Sequence, residues 1–67
     1  MMRITEMESI VYEGIEFSKG MRVLIKGEHR PHIDKIRGCF IDEEGEPCLS
    51  LTVLSHVRCE DVISVAD

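Results

Sequence analysis

The chain of 67 residues contains no tryptophan and only three aromatic residues, Tyr12, Phe17 and Phe40. Grooves that recognise proline-rich peptides, and surfaces that stack bases, are lined with aromatic side chains, so neither is favoured here. No apolar run exceeds three residues, which is far short of the roughly 20 that a transmembrane helix needs. Hydrophobic residues nevertheless make up 43% of the chain, as in a globular protein, and its length predicts one small domain over residues 1–67.

Cysteines are few and are not arranged as disulfide partners. There are three, Cys39, Cys48 and Cys59, and none forms a C-x-x-C pair. The first residues show no apolar stretch of the kind found in a secretory signal. An odd number of thiols without such a signal argues against a disulfide framework, so we expect a cytoplasmic location and three thiols packed as small hydrophobic groups.

Motifs of catalysis are also missing. The sequence has no G-x-S-x-G, no H-E-x-x-H and no glycine-rich phosphate loop. A Cys–His nucleophile would combine His56 with Cys39, Cys48 or Cys59. It would need a cationic environment, but Glu60 and Asp61 directly follow Cys59. A domain of this size has little room for a deep substrate cavity. The sequence therefore predicts a protein that is not an enzyme and needs no cofactor.

His29 and His32 form an H-x-x-H pair and are candidate zinc ligands. Structural zinc is usually held by two closely spaced pairs of ligands, and the remaining candidates, His56 and the three cysteines, are scattered. If residues 42–45 close a hairpin, as their sequence predicts, Cys39 and Cys48 point to opposite faces of it. We therefore predict no metal site.

Two-residue alternation dominates the hydrophobic pattern and predicts strands. It runs through residues 21–26 and 48–53, and β-branched residues recur near residues 10–17 and 62–65. Asp42-Glu43-Glu44-Gly45 predicts a hairpin turn with Gly45 in the left-handed region, which places Phe40 opposite Cys48 and Cys39 opposite Leu49. Gly14 predicts a bulge or bend, and residues 59–61 a short 3₁₀ turn. The side chains expected in the core are Ile25, Ile41, Leu49, Leu51, Val53 and Val62.

These patterns predict an all-β domain of about five short antiparallel strands, with residues 1–8 as a flexible segment or an edge strand. Residues 17–23, the hairpin of residues 35–42 with Gly45, and residues 57–65 resemble the SH3-like small barrels, including KOW-type modules. The resemblance covers about three quarters of the chain. It implies a small closed barrel, and its KOW-type members suggest nucleic-acid binding, whereas the recognition of proline-rich motifs does not carry over.

Positive charge is concentrated in one stretch of the chain, although the net charge is −5. Residues 21–38 hold five bases and two acids, whereas residues 39–67 hold one base and seven acids. Loops on rigid scaffolds often carry binding groups, so we take this stretch as the binding site. The predicted partner-binding residues are Arg22, Lys26, His29, Arg30, His32, Lys35 and Arg37.

Two functions remain as hypotheses. The first is a protein-interaction module, an adaptor or inhibitor of the type found among small accessory proteins of phages and mobile elements, that binds a larger protein with an acidic patch. The second is nucleic-acid or nucleotide binding through residues 22–37, which the overall negative charge disfavours. Self-association into a homo-oligomer through Leu24 and Phe40 is expected if Phe40 lies on the outer face; a bulge at Gly38 would instead turn it inward. No membrane partner is expected.

Overall fold

The computed structural model describes residues 4–66 and confirms an all-β fold. It contains eight strands, where about five were expected, and a 3₁₀ turn at Cys59–Asp61, as the sequence predicts. The strands are Thr5–Met7 (β1), Ser9–Tyr12 (β2), Ile15–Ser18 (β3), Arg22–Ile25 (β4), His32–Ile41 (β5), Pro47–Leu51 (β6), Val57–Arg58 (β7) and Val62–Val65 (β8). Within the described part of the chain, no helix has the length and apolar character needed to cross a membrane.

One antiparallel sheet forms most of the molecule, in the order β7-β6-β5-β4-β8, and β1 pairs with β5 alone. The ten-residue β5 organises it: its first half pairs with β4 and its second half with both β1 and β6. Among residues 4–66 no strand pairing joins β7 to β8. Closure into an SH3-like or KOW-like barrel therefore stays a prediction.

The central hairpin has the register that its turn sequence predicts. Phe40 pairs with Cys48 and Cys39 with Leu49. The Gly45 N–H donates to the Asp42 carbonyl at 3.0 Å, and Gly45 has a φ of 81°, where a side chain would be strained. The turn residues thus set which side chains share a face of β5 and β6.

Gly14 does not form a bulge or a bend within a strand. It closes a second hairpin, in which Tyr12 pairs with Ile15 and β2 and β3 form their own two-stranded sheet. Glu13 and Gly14 have φ values of 53° and 80°. Two consecutive positive φ angles are characteristic of the type I′ turn, whose twist suits a two-residue hairpin.

The core is formed by residues of β2–β7 and the 3₁₀ turn, and half of the expected core residues are fully buried. Ile25, Leu49 and Leu51 are buried as predicted, while Ile41 and Val62 are half-buried. The prediction for Val53 is wrong, because β6 ends at Leu51 and Val53 is 75% exposed. The buried cluster comprises Ile10, Phe17, Val23, Ile25, Ile36, Cys39, Leu49, Leu51, Val57 and Cys59.

A bulge in β5 decides which way its second half faces. The register with β6 shifts between Ile36 and Gly38, so that Arg37 is the extra residue. Ile36 and Cys39 are three residues apart, yet both lie in the core cluster. The bulge at Gly38 therefore exists, but it does not bring Phe40 into that cluster.

Candidate functional site

The outward side of β4 and the first half of β5 carries two exposed bases beside apolar side chains. Arg22 pairs with Lys35, and Leu24 pairs with Ile33. The intervening residues of β4, Val23 and Ile25, are fully buried, so the alternation points the other four side chains outward. We call the surface formed by Arg22, Leu24, Ile33 and Lys35 the basic–apolar face.

The two bases of this face lie directly opposite each other. Both are exposed, and paired residues on one side of an antiparallel sheet have their Cβ atoms about 5 Å apart. Like charges so placed repel each other and destabilise the sheet. None of the ion pairs formed among residues 4–66 includes either base. The arrangement therefore works against folding, and an anionic group bound between the two side chains would relieve the repulsion.

Apolar surface continues from the bases towards β8. Ile33 is 56% exposed although it lies within a strand, and Leu24 is half-buried. On the other side of β4, Leu24 pairs with Ser64, and the neighbouring Ile63, at an irregularity in the register, is also exposed. A partner on this face would meet positive charge and hydrophobic surface together.

The other predicted binding residues do not all join this face. Lys26 is exposed and next in the alternation after Leu24, while His29 and Arg30 are exposed in the loop beyond it. His32 pairs with the buried Ile25 and is half-buried on the inner side. Arg37 lines the groove beside β1. The structure thus groups Arg22 and Lys35, and separates His32 and Arg37 from them.

Self-association through Leu24 and Phe40 stays a prediction, and Phe40 has little exposed surface for it. Phe40 lies outside the core cluster, but it is only 8% exposed. The rings of Phe40 and His56 form a T-shaped pair with centroids 5.1 Å apart, and Glu6 of β1 pairs with Phe40. Phe40 therefore offers little surface to a second chain. Leu24 retains surface as part of the basic–apolar face.

A second constellation lies at the hairpin end of β5. The Cys48 Sγ is 3.3 Å from the His56 Nε2 and 3.6 Å from the Asp42 Oδ2. The third side of this triangle, from His56 Nε2 to Asp42 Oδ2, measures 3.9 Å. We call these three residues the Asp–Cys–His cluster. Cys48 and Asp42 are buried, whereas the His56 ring lines an open groove of about 570 Å³ together with Phe40.

Asp42 is held in place by the turn that it helps to form. Its Oδ1 accepts the backbone N–H groups of Glu44 and Glu46, both at 2.9 Å, which leaves Oδ2 to face the cluster. The hydrogen bond from Glu46 is the main cause that lowers the pKa of Asp42, against the opposing effect of burial. The carboxylate is thus ionised at neutral pH and fixed in orientation.

All three thiols have raised pKa values. Burial and the hydrogen bond to Asp42 raise the pKa of Cys48 to about 11, and burial raises that of Cys59 to about 11 as well. Burial also raises the pKa of Cys39. A catalytic Cys–His pair requires a lowered thiol pKa, so the cluster lacks the property that would make Cys48 attack a substrate.

Sequence reasoning missed the Asp–Cys–His cluster because it searched for closely spaced ligands. Asp42, Cys48 and His56 are separated by five and seven residues, which matches no common motif. A usable signal was the predicted register, which places Phe40, Asp42 and Cys48 on one side of the hairpin. The position of His56 depends on the connection between β6 and β7, which no sequence pattern indicates.

Comparisons with protein-family models, with curated proteins and with solved structures found no significant match to this chain.

Proposed function

We propose that this protein is a non-enzymatic interaction module that binds an acidic segment of a larger protein through the basic–apolar face. The observation that carries the proposal is the pairing of Arg22 directly with Lys35 on an exposed surface. This arrangement lowers folding stability, so we infer that the two bases are present because they contribute to binding. A carboxylate positioned between the two bases would interact with both.

The neighbouring side chains specify the kind of segment. Ile33 and Leu24 lie next to the two bases, so a suitable partner carries apolar residues close to its acidic ones. Burial of apolar surface would supply most of the affinity, while the bases would speed association and select the sign of the partner's charge. Nucleic acid offers phosphates but no aliphatic groups for Ile33, and no aromatic side chain on this face could stack a base.

The direct test is a double charge reversal, Arg22→Glu with Lys35→Glu. The chain is immobilised through its N-terminus, because the Ala66 N–H donates to the Arg22 carbonyl and the C-terminal end therefore lies beside the basic–apolar face. Proteins captured from a lysate of the source organism are compared quantitatively between variants. We expect a partner of the wild-type chain to be captured at least about tenfold less by the variant, and to be released by salt. The reversed pair is still like-charged, so its folding stability should resemble that of the wild type.

A matched control has the same change in net charge elsewhere. Lys19→Glu with Arg37→Glu reverses two exposed bases that line the groove beside Glu6 and Met7 of β1. This control should capture the partner as the wild type does. Equal loss in both double variants would show a general charge effect and overturn the proposal, as would capture that depends on intact nucleic acid.

A further inference from the structure

We propose that the Asp–Cys–His cluster is a binding site for a divalent transition metal, with Zn²⁺ as the ion that its ligand set favours. The three side chains offer one oxygen, one sulfur and one nitrogen atom, all within 4.8 Å of one another. Carboxylate, thiolate and imidazole are the ligands that zinc uses in proteins.

The distances fit an ion of this size. A point equidistant from Asp42 Oδ2, Cys48 Sγ and His56 Nε2 lies about 2.1 Å from each atom. Zinc binds oxygen and nitrogen at roughly 2.0–2.2 Å and sulfur at about 2.3 Å, so movements of a few tenths of an ångström would complete the site. The ligands are therefore already gathered at metal-binding separations.

Supporting contacts hold two of the ligands in orientation. The two backbone N–H groups at the turn fix the Asp42 carboxylate through its other oxygen. The Phe40 ring packs against the His56 ring in a T-shaped arrangement. Such outer contacts orient metal ligands and normally strengthen binding. Because His56 borders the groove, the ion would be reached from that side, and water or a partner's side chain would fill the fourth position.

Binding is a proton exchange at Cys48. The thiol S–H bond breaks, the proton leaves to solvent and the sulfur bonds to the ion; Asp42 is already anionic, and His56 binds through the lone pair of Nε2.

The experiment titrates the reduced, untagged full chain with Co²⁺ and with Zn²⁺. We expect one ion per chain, a thiolate-to-cobalt charge-transfer band, the visible bands of tetrahedral cobalt, and their loss when zinc is added. Asp42→Asn keeps an oxygen acceptor for the turn, and His56→Ala alters a side chain that is 52% exposed, so both variants should fold. Each should bind zinc at least about tenfold more weakly.

His29→Ala is the matched control, since it removes an exposed histidine from a loop outside the cluster. It should bind zinc as the wild type does. Three results would overturn the proposal: no charge-transfer band in the wild type, equal weakening by His29→Ala and His56→Ala, or unchanged zinc binding in folded Asp42→Asn and His56→Ala. Circular dichroism of each variant shows that it is folded. The outcome is independent of the proposed partner, because no residue of the basic–apolar face takes part.

Discussion

Arg22 and Lys35 show how a single pair can act against folding. Each is exposed, and the two residues are directly paired across β4 and β5, with their side chains on the same side of the sheet. Opposite charges at such positions stabilise a sheet and like charges destabilise it. Nothing in the packing requires a base at either position, so the pair can be changed without disturbing the core.

The single substitution Lys35→Glu should therefore stabilise the protein while it weakens binding. It converts a like-charged pair into an opposite-charged one, and we expect the free energy of unfolding to rise by roughly 0.5 kcal/mol at low salt. Urea unfolding at low and at high salt measures the effect, which should shrink as salt screens the pair. A loss of stability at low salt would show that the two side chains do not face each other.

Asp42 and Cys48 show what can be inferred from a turn sequence and what cannot. The turn residues 42–45 were sufficient to predict which residues of β5 and β6 pair, and so to place Asp42 and Cys48 near each other. Asp42 Oδ2 faces Cys48 and His56 because Oδ1 already accepts two backbone N–H groups. That orientation is visible only in the three-dimensional structure of the turn. By charge alone, Asp42 is one of seven acidic residues in 39–67, and nothing in that pattern marks it as a ligand.

Among the strands, β6 shows that hydrophobic alternation does not locate the end of a strand. Alternation continues through Thr52 and Val53, but the strand ends at Leu51 because the chain turns there. The Leu51 N–H donates to the Leu54 carbonyl, and the Val53 N–H donates to the buried carboxylate of Asp34. Only a tertiary contact with Asp34 distinguishes this turn from a longer strand, so periodicity alone could not place the end of β6.

Paired substitutions test this strand boundary. Leu51→Ala should lower the free energy of unfolding by roughly 2–5 kcal/mol, because it leaves a cavity in the core. Val53→Ser should change it by less than about 0.5 kcal/mol, since the side chain is already in solvent. Chemical denaturation of both variants provides the comparison, and a large loss of stability in Val53→Ser would mean that β6 extends further into the core than described.

The elements near the N-terminus were the least predictable. β1 is short and fully exposed, and it is recognised as a strand only because it pairs with β5. The β2–β3 hairpin has a conventional turn at Glu13 and Gly14, and the apolar residues on both sides of it were already evident. Gly14 lies in a hairpin turn and not in a bulge, because the strands on its two sides, β2 and β3, have equal length and pair with each other.

At the scale of the whole molecule, charge and chemistry are segregated along β5. Its first half, with β4, presents the basic–apolar face, while its second half leads to the acidic turn and the Asp–Cys–His cluster. The sequence revealed the separation of charge but not the grouping of the bases. That grouping depends on the register of β4 with β5, which places His32 on the inner side, and on the bulge that separates Arg37.

We expect the outward side of β4 and the first half of β5 to bind acidic segments with apolar neighbours. Titration with an unstructured peptide of glutamate and leucine at low salt, followed by the backbone amide signals in ¹⁵N–¹H spectra, locates the binding surface. The chemical-shift changes should concentrate in β4, residues 32–36 of β5 and β8, and a glutamate-only peptide should bind more weakly. Changes centred on the groove beside β1, or none on β4 and β5, would mean that this face is not the binding surface.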